Sequence, residues 1–133
     1  MKYLVAIFVL TCAIPAAAAD VKCSSGKAGI YTFVKLELKP AASGKVTVAV
    51  TYRNTLDKAT VRSRYNFKLI GKHQDWYLGM AGKSLAKPGV DTTDTQELDI
   101  DPKDVAEMQS LVPAIFCVED TTDESGRQES YHR

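Results

Sequence analysis

Between residues 61 and 69 the chain alternates with a period of two. Val61, Ser63, Tyr65, Phe67 and Leu69 fall on one side, and Arg62, Arg64, Asn66 and Lys68 on the other. Successive side chains of an extended strand point to opposite faces, so the pattern predicts an antiparallel strand with one buried and one wet face. The same period recurs upstream. In residues 30–39 the even positions Ile30, Val34, Leu36 and Leu38 are apolar, with Thr32 the exception, and are expected to face inward. Val46, Val48, Val50 and Tyr52 alternate with Thr47, Ala49, Thr51 and Arg53, a second run of high strand propensity.

Turn signals separate these runs at residues 40–44, 54–58, 71–75 and 87–89. Residues 76–78 read as a short strand ended by Gly79, residues 93–100 as another, and residues 114–118 as the last. One short helix is expected near residues 102–110. Asp101 is placed to cap it, Pro102 suits its first position, and Asp104 favours the positive helix end. About seven short strands with frequent turns predict an all-β antiparallel sandwich or small barrel.

The ends of the chain bound what folds. Residues 1–19 carry Lys2, an apolar run to Ile14, Pro15 and four alanines before Asp20, the pattern of a cleaved signal peptide. A retained anchor is the alternative, but the run is short of the roughly 20 apolar residues a membrane span needs. Lipidation at Cys12 is a second alternative, which Thr11 fits poorly. Cleavage would remove Lys2 and Cys12, leaving sixteen basic against sixteen acidic residues and two cysteines. The remaining 20–119 segment is expected to be one domain and residues 120–133 a disordered polar tail. A neutral balance argues against nucleic acid, and nothing after residue 19 is apolar enough to span a membrane. Cys23 and Cys117 are expected to pair, because an exported chain meets an oxidising compartment; free thiols are the alternative. Localisation is expected to be exported, periplasmic or secreted.

A resemblance adds to this reading. The strand Val46-Thr47-Val48-Ala49-Val50-Thr51-Tyr52-Arg53-Asn54, followed by Leu85-Ala86-Lys87-Pro88-Gly89, resembles small exported bacterial immunoglobulin-like domains, in which a "V-x-V-x-Y-x-N" strand and an "L-x-x-P-G" turn recur. It extends over roughly residues 30–118. The resemblance implies an immunoglobulin-like sandwich with a binding or accessory role and no transferable active site. The chain departs from antibody-type domains, whose cysteines sit on facing central strands with a Trp between them.

The residues that could carry chemistry are few. His73 lies in a polar turn and His132 in the expected tail, and no G-x-S-x-G is present. Asp91, Asp94, Glu97, Asp99, Asp101, Asp104 and Glu107 stand against Lys103 alone, a density of hard oxygen ligands that could hold calcium. Their spacing lacks the glycine and terminal glutamate of an EF-hand, Asp101 and Asp104 already serve the helix start, and a solvated acidic face is the reading expected over calcium. No cofactor and no catalytic residue is expected. Residues 45–72 are the basic counterpart, with Arg62, Arg64 and Lys68 at period-two spacing on one strand face. Such a face could steer a charged partner or simply keep a strand soluble. Trp76 is a candidate extension of it, as aromatic rings anchor interfaces.

The chain is therefore expected to be an exported, non-enzymatic binding module for a protein or cell-envelope component, with Arg62, Arg64, Lys68 and Trp76 as candidate contacts. An inhibitor or protective factor acting on an exported enzyme, presenting residues 79–83 as a loop, is the alternative, and a small metal-dependent hydrolase using His73 and the acidic stretch is a third. The sequence leaves the partner and the oligomeric state open.

Overall fold

The alternating runs become strands of two facing antiparallel sheets. The computed structural model describes residues 21–132, so the expected signal peptide at residues 1–19, with Cys12, lies outside the described residues. The strands are β1 (Lys27–Ala28), β2 (Tyr31–Pro40), β3 (Val46–Asn54), β4 (Thr60–Ile70), β5 (Asp75–Gly82), β6 (Asp91–Leu98), β7 (Ile115–Asp123) and β8 (Gln128–Ser130). One sheet runs β1-β7-β4-β5, with β8 also on β7, and the other runs β2-β3-β6. The fold is an all-β sandwich.

Burial follows the pleat. Tyr65, Phe67 and Leu69 of β4 meet Val46, Val48, Val50 and Tyr52 of β3 in one core, and each of these is at most 1 % exposed. Aromatic rings fill its centre: Tyr31 stacks on Tyr52 at 4.4 Å between centroids, and Phe67 on Phe116 at 5.7 Å. The expected helix is a 3₁₀ turn (Pro102–Asp104) leading into α1 (Val105–Gln109), and Asp101 caps the start by accepting from the Lys103 amide at 3.1 Å. The side-chain amide of Gln109 then accepts from the Leu38 amide and donates to the Leu36 carbonyl, each at 2.6 Å, closing the free edge of β2.

Four expectations needed correction. In β2 the register shifts between Phe33 and Lys35, a bulge that turns Val34 outward to 42 % exposure and Tyr31 and Phe33 towards the core. Such an insertion reverses which alternate positions face inward. β5 does not stop at Gly79 but pairs with β4 as far as Gly82. Met80 fills an inward position opposite Tyr65, which makes residues 79–82 strand and removes the loop that an inhibitor was to present.

The tail from residue 120 is not disordered. β7 continues to Asp123 and turns into β8. Asp123 Oδ1 accepts from the Ser125 amide and hydroxyl and from the Arg127 amide, and Tyr131 packs against the core. A local carboxylate turn and one aromatic anchor order a segment whose composition is otherwise polar. The acidic stretch is not one solvated face either: Asp94 is only 4 % exposed.

Cys23 and Cys117 are joined across a sequence separation of 94, with a Cα–Cα distance of 5.8 Å. Because Phe116 and Val118 point into the core, Cys117 projects from the opposite side of β7, and the disulfide ties the N-terminal segment across that outer face. Gly26, at φ +95°, lets this segment press on β7: a Cβ there would lie 2.4 Å from the Val118 carbonyl oxygen.

Candidate functional site

The outward face of β4 carries the candidate cations, and its neighbours decide which of them are free. β4 lies between β5 and β7. Opposite Arg64 and Tyr65 the register of β7 shifts, so that Asp120 faces Arg64, Val118 faces Tyr65, and Glu119 is the extra residue. A bulge re-aims side chains, and here both carboxylates reach the outward side of β4. Arg64 donates to Asp120 Oδ2 through Nε at 2.8 Å, its Nη2 lies 2.6 Å from the same oxygen in an ion pair, and Asn66 donates to Glu119 Oε2 at 2.8 Å. The bond to Asp120, and then its charge, hold the Arg64 guanidinium above even its ordinary pKa. Lys68 lies 3.5 Å from Asp75 and 5.5 Å from the centroid of the Tyr77 ring.

Arg62 differs from both. It is exposed, opposes Thr122, and pairs with no acid among the described residues. Beside it a groove of about 310 Å³ opens along the ends of β4, β5 and β7, lined by Arg62, Arg64, Ala81, Lys83, Asp120 and Gln128 among others. Lys83, the first residue after β5, is likewise exposed and without an acid among the described residues. The groove thus has two uncompensated cations at its rim, an electrostatic arrangement suited to an anionic group.

The structure brings Arg62, Arg64 and Lys68 onto one face, as their spacing required, and separates Trp76 from them. β5 alternates so that Trp76, Leu78 and Met80 turn towards the core, where Trp76 packs, while Tyr77 is 53 % exposed on the outer face beside Lys68. Tyr77 therefore takes the place assigned to Trp76. Lys83 was read only as part of the 79–83 loop, and Glu119 and Asp120 were missed. The alternation places Lys83 in phase with Tyr77, a signal present in the sequence; the bulge that swings Glu119 and Asp120 into position leaves none.

Several of the acids of residues 91–107 have separate partners. Asp91 pairs with Arg53 at 2.6 Å, Glu97 accepts from the Ser43 hydroxyl at 2.9 Å, and Glu107 accepts from the Lys72 amide at 2.8 Å. Buried Asp94 accepts from the Tyr65 hydroxyl at 2.9 Å and the Ser84 amide at 3.2 Å. Gly82 makes this possible, since a Cβ there would stand 2.8 Å from Asp94 Oδ2 and 2.5 Å from the Ser63 hydroxyl. Among the described residues no group of three or more His, Cys, Asp or Glu could hold a metal ion.

His73 is exposed in the β4–β5 turn. His132 meets the Ser25 hydroxyl at 3.3 Å, while Glu119 lies 4.0 Å from its other nitrogen and is held by Asn66. These contacts strap the C-terminal strand to the N-terminal segment. A recess of about 660 Å³ lies there, lined by Cys23, Lys27, Ala28, Ile115, Tyr131 and His132 among others.

No described helix is long and apolar enough to cross a membrane. No family model matches the chain, and neither a curated protein nor a solved structure matches it.

Proposed function

We propose that this chain is an exported, non-enzymatic binding module that holds an acidic site of a protein or cell-envelope component against the outer face of its β4-centred sheet. One observation carries the reading. In a row of three cations, Arg64 and Lys68 are neutralised by Asp120 and Asp75, whereas Arg62 has no acid partner among the described residues and stands over a groove shared with Lys83. A cation kept only for solubility needs no groove, and two neighbouring cations at its rim supply charge-assisted hydrogen bonds to carboxylate or phosphate oxygens. Tyr77, exposed beside Lys68, offers an aromatic contact on the same face. Export is supported by the Cys23–Cys117 disulfide, which persists in a periplasm or outside the cell.

The test is affinity capture from an envelope and secreted extract, with the wild-type chain and Arg62→Glu side by side. A partner held by wild type, released by salt and lost with Arg62→Glu supports the reading. Equal capture by both forms removes this face from consideration.

A further inference from the structure

Two of the edge strands of the sandwich are built differently. β2 is guarded by several devices against strand addition: the charged Lys35, Glu37 and Lys39, a terminal Pro40, a bulge, and the Gln109 amide bonded to its backbone at two points. β5 also pairs on one side only, with β4. Its outward side chains are Asp75, Tyr77, Gly79 and Ala81, with no lysine, arginine or proline in the strand. The Ala81 amide turns away from β4 and donates to Gln96 Oε1 at 3.0 Å. Antiparallel pairing alternates backbone groups from side to side, so Asp75, Tyr77 and Gly79 direct theirs to that same free edge. A Cβ on Gly79 would meet nothing within 4 Å.

We propose that this edge joins to a second copy of the chain, β5 against β5, antiparallel about a twofold axis at Gly79. The sequence Asp75-Trp76-Tyr77-Leu78-Gly79-Met80-Ala81-Gly82-Lys83 is complementary to itself in that register. Asp75 falls opposite Lys83 of the second copy, Trp76 opposite Gly82, Tyr77 opposite Ala81, and Leu78 opposite Met80. Each aromatic ring meets a small residue that leaves it room, and both ends carry opposite charges, which stabilise cross-strand pairs. A shift of one residue in the pairing breaks the charge match and sets Trp76 against Ala81 and Tyr77 against Met80. Lys83 has no acid among the described residues, and Asp75 has only Lys68 at 3.5 Å. Closing the seam requires Gln96 to release one bond, against the two that Gln109 makes on β2. The interface is isologous, as a twofold dimer requires. It extends the outer sheet face across both copies, so that two Arg62 grooves lie on one surface.

The experiment is sedimentation equilibrium of the purified chain with its disulfide intact, for wild type, Lys83→Asp and the double variant Asp75→Lys/Lys83→Asp. The expected wild-type state is a dimer at tens of micromolar. Lys83→Asp sets two acids against each other at both ends and raises the dissociation constant about tenfold or more, and the double variant restores it. A chain that remains monomeric to about 1 mM, a dimer indifferent to Lys83→Asp, or a double variant as weak as the single one overturns the proposal. Lys83 belongs to both the seam and the groove, whereas Arg62 lies outside the seam, so partner capture lost with Arg62→Glu while the dimer persists separates the two results.

Discussion

The two faces of β4 are made from alternate residues of one strand, yet they serve different ends. On the inner face Tyr65, Phe67 and Leu69 are at most 1 % exposed, and the one polar tip among them, the Tyr65 hydroxyl, is bonded to buried Asp94. On the outer face the charges are only partly balanced, and Arg62 is left without an acid among the described residues. Burial without pairing is costly, so the inner face satisfies its polar groups. Water solvates an unpaired guanidinium at little cost, so the outer face can leave one available. Stability thus resides on one side of the strand, and the proposed recognition on the other.

That division is broken most severely from the inside. Phe67→Ala removes a fully buried ring stacked on Phe116 and is expected to cost about 3–5 kcal/mol, read as a lower denaturant midpoint. Asp94→Ala leaves the Tyr65 hydroxyl and the Ser84 amide without their acceptor, for an expected loss of about 1–3 kcal/mol by the same measurement.

The inner tyrosines add a pH dependence that the outer face does not share. Burial is the largest cause raising the pKa of Tyr31, Tyr52 and Tyr65 above the ordinary 10.0, with the charge of Asp94 acting in the same direction. A phenol whose folded-state pKa is raised contributes its full stability below the unfolded value and loses it as pH rises past that value. Unfolding midpoints should therefore fall above about pH 10, and the tyrosinate absorbance of these three rings should appear only with unfolding. Absorbance that appears while the fold is intact would show that they are not sealed from solvent. The smallest expected effect on stability is that of Arg62→Glu, which should leave the midpoint unchanged, because the exposed side chain makes no ion pair within the described residues.

β4 was legible in the sequence because nothing interrupts its period of two through residues 62–69, and the same holds for β3. The disulfide was legible from the cysteine count once the N-terminal segment was set aside. Where a bulge intervenes, periodicity misleads: Val34 reads as a core residue until the extra residue in β2 turns it out. The bulge at Glu119 has the larger consequence, since it brings the acids that neutralise part of the basic row. Composition misjudged the C-terminal hairpin, whose order comes from the bonds gathered by Asp123 and the packing of Tyr131. Trp76 was assigned to the outer face by chemistry alone; its even position in β5, in phase with buried Leu78 and Met80, already placed it inside.

The most direct test of this division is capture of a partner by folded Arg62→Glu, measured beside wild type at low and high salt. The account predicts an unchanged unfolding midpoint together with loss of a salt-sensitive partner that wild type retains. Retention of that partner by a fully folded Arg62→Glu variant would contradict it.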